Sequence, residues 1–97
     1  MPATNRIVAS ATGLSADWLQ LGAGDHVIQF RWAGSPGAAD LVMRSNNAAF
    51  ADVIGSDGSK VAITTNTAVV VAGGSDYSVE VDTATSALTV TAARCTP

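Results

Sequence analysis

The side chains best suited to polar chemistry in this chain are few. His26 is the single histidine and Cys95 the single cysteine. A zinc site would therefore have to be completed by carboxylates, without the closely spaced Cys and His pairs that structural zinc prefers. One cysteine also excludes an intrachain disulfide, so Cys95 reads as a spare thiol on a terminal strand, the alternative being an intermolecular bond or a metal thiolate. Serines and aspartates are plentiful, yet no Gly-x-Ser-x-Gly elbow accompanies His26, so a Ser-His-Asp arrangement is not indicated. Asp25-His26 reads instead as the close of a turn and the start of a strand, with the ring half-buried or against a partner.

Glycoside hydrolysis needs two carboxylates facing across a cleft, one of raised pKa. Asp52, Asp57, Asp76, Glu80 and Asp82 qualify by number alone. Glu80 and Asp82 share one strand face at i, i+2, which is also how a solvated face looks. Gly55-Ser-Asp-Gly-Ser and Asp76 could supply oxygen ligands to calcium, but the EF-hand spacing is missing and turn chemistry accounts for them. Gly22-Ala-Gly-Asp lacks the lysine and the following helix of a phosphate loop. Trp18 and Trp32 could stack on pyranose rings; with five aromatics in all, core anchors or interface contacts are the simpler reading. No catalytic, cofactor or metal site is expected.

The elements that must position these residues follow a period of two, as half-buried antiparallel strands require. Expected strands are Asn5–Thr12, Trp18–Leu21, His26–Trp32, Asp40–Ser45, Phe50–Ile54, Lys60–Thr64, Ala68–Ala72, Asp76–Asp82 and Ser86–Ala93. In His26–Trp32 the residues His26, Ile28, Phe30 and Trp32 share the inward face, and Val27, Gln29 and Arg31 the outward one. Residues 33–39 read as loop, Asn46-Asn47 as a return, and Asp57-Gly58 as a tight turn between apolar runs. The one helical expectation is a short turn near Gly13 to Trp18, with Ser15 as its cap. No gap is long enough for the crossover helices of a parallel sheet. The expected fold is all-β: an antiparallel sandwich, immunoglobulin-like or jelly-roll-like, of seven to nine short strands with at most one helical turn.

Residues 1–97 make one domain, because two halves would each be too short to bury a core unaided. Alanine supplies 18 of the 46 apolar residues, so the core is thin. A net charge of −3 and a pI near 4.6 lack the basic footprint that nucleic acid or anionic lipid demands, so neither is an expected partner. No apolar run reaches signal-peptide or membrane-span length, and the protein is expected to be soluble and unexported. Residues 1–14 carry Ile7 and Val8 without an opposing bulky stripe. They read as an N-terminal arm or edge strand whose apolar groups meet a partner's sheet edge. Ile7, Val8, Trp18 and Trp32 are the expected partner-binding residues.

Three stretches carry a family likeness: Trp18-Leu-Gln-Leu-Gly-Ala-Gly-Asp-His-Val-Ile-Gln-Phe-Arg-Trp32, Leu41-Val-Met-Arg-Ser-Asn-Asn47, and the closing Tyr77-Ser-Val-Glu-Val81 with Leu88-Thr-Val-Thr-Ala92. Together they resemble small β-sandwich virion proteins of tailed bacteriophages. The resemblance implies head decoration, or a fibre or tail accessory role, without catalysis or cofactor. It implies a homo-oligomer bound to the major capsid protein or other virion subunits, made in the host cytoplasm and carried on the capsid surface. A carbohydrate- or receptor-binding module of a tail or fibre is the alternative it leaves open.

Overall fold

A computed structural model describes residues 6–45, 49–55 and 57–95. Among them ten strands form and no helix does: β1 (Arg6–Ala9), β2 (Gly13–Leu14), β3 (Leu19–Gln20), β4 (Asp25–Trp32), β5 (Ala38–Arg44), β6 (Ala51–Asp52), β7 (Ala62–Ile63), β8 (Thr67–Ala72), β9 (Asp76–Thr83) and β10 (Leu88–Arg94). All pairings are antiparallel. Sheet A runs in the order β1-β10-β4-β8. Sheet B is centred on the β9/β5 pair, with β2 and β3 flanking β9, and β6 and β7 flanking β5. The two pack into an all-β sandwich.

The strands form where alternation lets one face become dry. In β4 His26, Ile28, Phe30 and Trp32 are buried, while Gln29 and Arg31 are exposed. Sheet B answers with Ala39 and Leu41 of β5 and Tyr77, Val79 and Val81 of β9, all in the same core cluster. Ile7 and Ala9 of β1, Leu19 of β3 with Leu21 just after it, Leu88 and Val90 of β10, and Ile63 of β7 complete it. Fully burying a side chain such as Phe30 contributes roughly 1.5–3 kcal/mol.

Several boundaries differ from expectation for local reasons. The first expected strand, Asn5–Thr12, shortens to β1, and an unexpected strand, β2, follows it, because Gly13, at a φ of 104°, lets the chain leave sheet A and pair with β9. No helical turn follows; Ser15 Oγ accepts from the Asp17 amide at 3.2 Å, closing a turn that goes no further. β5 starts at Ala38, inside the expected loop, with a register shift at Ala38/Ala39. Gly37 makes this approach feasible, since a Cβ there would collide with the Thr83 carbonyl. Phe50–Ile54 and Lys60–Thr64 shrink to two-residue strands joined by an Ile54/Lys60 bridge. The turn between them is fixed by Gly58, at a φ of 83°, and by Asp57 Oδ1 accepting from the Ser59 amide. The return expected at Asn46-Asn47 lies outside the described residues.

Candidate functional site

The four residues expected to bind a partner separate by burial. Ile7 and Trp32 belong to the chain's own core, at 1% and 5% exposure. Val8 is half exposed and Trp18 half-buried. Within the expected arm, β1 sits on β10 as an edge of sheet A and β2 on β9 as an edge of sheet B. Residues 1–5 lie outside the described residues.

His26 is buried rather than half-buried, and its Nδ1 lies 3.0 Å from the Gly24 carbonyl. A carbonyl can only accept, so this nitrogen is the protonated one, and the ring closes the Gly24 turn. Cys95 is exposed, and its amide donates to the Asp25 carbonyl. His26 and Cys95 therefore both lie at the Asp25 end of β4. Asp57 and Asp76, considered as calcium ligands, are held apart: Asp57 caps its own turn, and Asp76 pairs with Arg44 at 3.4 Å.

The outer face of sheet B divides into a covered half and an acidic half. Val42 and Ser78 stand opposite each other on β5 and β9, both fully buried, although the pleat turns them away from the core. The segment before β3 helps cover them: Ser78 Oγ donates to the Asp17 carbonyl at 2.7 Å. Trp18 follows, with the Arg44 guanidinium 4.2 Å from its ring centre and Phe50 tilted against it at 6.4 Å. Its indole is thus held by a cation and a second aromatic ring.

On the other half, Asp40, Asp52 and Glu80 bring carboxylate oxygens within 4.8 Å of one another. Register places them there, since Asp40 faces Glu80 while Asp52 faces Val42. Burial, then the charge of Asp82, holds the Asp40 carboxyl above its ordinary pKa, with Lys60 opposing. Lys60 pairs with Asp52 at 3.4 Å, a contact that raises its own pKa. Asp52, Glu80 and Asp82 were visible candidates in the sequence; Asp40 was not, because only the β5/β9 and β5/β6 registers bring it to them. The arrangement offers clustered like charge without a cleft or an opposed acid and base.

The outer face of sheet A is of another kind. Register sets its side chains in rows: Ala93, Val27 and Val70; then Arg6, Thr91, Gln29 and Ala68; then Val8, Thr89 and Arg31. The rows are mostly small and β-branched; their charges are Arg6 on β1 and Arg31 on β4, and a last row adds the exposed Asp25 opposite Ala72. Val70 is 66% exposed and Val8 is 50% exposed. Arg6, Arg31 and Thr89, with Trp32 and Ala33, border a shallow groove of about 290 Å³. Beside it the Trp32 indole N–H is buried, and among the described residues it finds no acceptor.

No protein-family model, curated protein or solved structure matches the chain.

Proposed function

We propose that this chain is a non-enzymatic structural protein of a virion, a phage capsid decoration protein that docks on the major capsid protein and on other copies of itself. The observation that carries docking is the outer face of sheet A, where Val70 and Val8 are exposed beside a half-buried Val27 on a surface of few charges. An exposed apolar sheet face of this kind gains stability when a partner covers it. The arginines beside it give a partner's carboxylates a point of attachment. The virion setting comes from the resemblance of the Trp18–Trp32, Leu41–Asn47 and closing-strand stretches.

The carbohydrate-binding alternative would rest on Trp18, whose ring already carries the Arg44 guanidinium. Gold-labelled antibody against the protein, applied to particles purified from its source, tests the proposal. Regular label over the shell is the expected image. Label confined to tails or fibres supports the alternative, and particles free of label contradict both.

A further inference from the structure

The edge of sheet A formed by β8 has a feature that the face does not. The hydrogen-bond ladders on the two sides of β4 fix which backbone groups of β8 are unpaired. The Cys95 amide donates to the Asp25 carbonyl and the Ala33 amide to the Ala87 carbonyl, so the odd-numbered residues of β4 turn their backbone toward β10. The Gly73 amide donates to the Gly24 carbonyl at 2.7 Å, so the even-numbered ones turn toward β8. Antiparallel pairs alternate between bonded and non-bonded. Val69 and Val71 therefore bond to β4, while Ala68, Val70 and Ala72 aim their N–H and C=O groups away from the sheet. All three residues are exposed, and of their outward groups the Ala72 carbonyl alone accepts a bond among the described residues, from the Tyr77 hydroxyl at 2.8 Å.

Sheet edges in stable monomers are blunted by charge, proline, bulges or shortness. β1 carries Arg6, and the strands flanking β9 and β5 in sheet B are two residues long. β8 has none of these devices: Thr67-Ala-Val-Val-Val-Ala72 is six residues long, uncharged, free of proline and regular in register.

We infer that β8 is a self-association edge, at which a second copy of this chain adds its own β8 antiparallel across a two-fold axis through Val70. The occupant follows from the sequence of the strand. Ala68-Val69-Val70-Val71-Ala72 reads the same in both directions, so the axis sets Val70 against Val70, Val69 against Val71 and Ala68 against Ala72 of the partner subunit. The outward groups lie at the positions this register needs. Val70 exchanges two hydrogen bonds with its symmetry mate, and each Ala68 exchanges two with the opposing Ala72, whose carbonyl accepts the new bond on its second lone pair beside the Tyr77 hydroxyl. No like charges meet, and the two four-stranded sheets become one of eight. The contact is isologous and closes at a dimer. It deepens the assembly reading proposed above, which it rests on for its biological sense, but it is tested on the purified chain alone.

Sedimentation velocity over a range of concentrations reads it. The intact chain is expected to dimerise. Val70→Lys, which sets two ammonium groups face to face at the axis, should weaken the dimer roughly tenfold or more. Ile54→Lys puts the same charge on an exposed apolar residue outside sheet A and should leave it intact. Circular dichroism verifies that each variant keeps its sheet. A second arm needs no loss of contact: with Cys95→Ser as background, Val70→Cys should cross-link into a covalent dimer under mild oxidation. Bonded pairs place their Cα atoms about 5.5 Å apart, within disulfide reach. Ile54→Cys in that background should give no covalent dimer. A wild-type chain that is monomeric throughout, or a dimer indifferent to Val70→Lys, overturns the inference. Such a result leaves the shell-labelling test untouched, and an unlabelled shell beside an intact dimer would remove the virion reading alone.

Discussion

Replacing Asp40 by asparagine should stabilise the protein. Its carboxylate shares the outer face of sheet B with Asp52 and Glu80, oxygens within 4.8 Å, and burial together with Asp82 raises its pKa. Two unit charges at that separation repel by about 0.9 kcal/mol even at the dielectric constant of water. Lys60 offsets part of this, the loss of hydration adds to it, and solvent screening of a carboxyl that keeps much of its water trims the sum, leaving a net penalty of about 0.5 kcal/mol. A carboxyl whose folded pKa is raised binds its proton more tightly in the folded state. The penalty is therefore complete above the folded pKa, relieved as pH falls through it, and absent below the unfolded value. Asp40→Asn should raise the melting temperature by about 2–4 °C at pH 7 and low salt, the shift that ~0.5 kcal/mol makes in a domain of this size. The gain should shrink at high ionic strength, where the Debye length falls to about 3 Å, and should vanish in acid. Thermal melts of both proteins across pH and salt measure this. A variant less stable than wild type at pH 7, or a gain unchanged by pH, refutes the reasoning.

Other substitutions probe the core and the turns. Phe30→Ala, at a fully buried position facing sheet B, should cost roughly 3–5 kcal/mol, read by urea unfolding. Gly73→Ala would drive a Cβ into the Gly22 carbonyl and part the turn that the Gly73 and Gly74 amides close. The loss of two to three hydrogen bonds, about 2–4 kcal/mol, should appear in the same assay. Trp32→Phe removes the buried indole N–H that has no acceptor, which offsets the volume lost; stability should change by less than about 1 kcal/mol, and a loss above about 3 kcal/mol would show that the N–H is satisfied.

The sandwich was legible wherever one strand carried its own alternation. In β4, Ile28, Phe30 and Trp32 stand one residue apart from Gln29 and Arg31, and no pairing information is needed to tell which face is dry. The two tryptophans follow the same logic. Trp32 continues the buried row, whereas Trp18 alternates with the buried Leu19 and so belongs to the other side. That pattern could have separated them beforehand. Features that depend on register were out of reach. Asp40 joins Asp52 and Glu80 through two different strand pairings, and Gly13-Leu14 is too short to show a period. The uncharged run Ala68–Ala72 was readable as a strand, but its place at an edge, which gives that run its meaning, comes from topology.

The claim that sheet A carries the chain's contacts is tested most directly by amide hydrogen exchange of β8, followed residue by residue at low and high protein concentration. The amides of Val69 and Val71, bonded to β4, should be protected at both. Those of Ala68, Val70 and Ala72 should exchange freely when dilute and become protected together as concentration rises, with the outer amides of sheet B unaffected. Fast exchange at Val70 under all conditions, or concentration-dependent protection appearing instead around Asp40 and Glu80, would contradict the account.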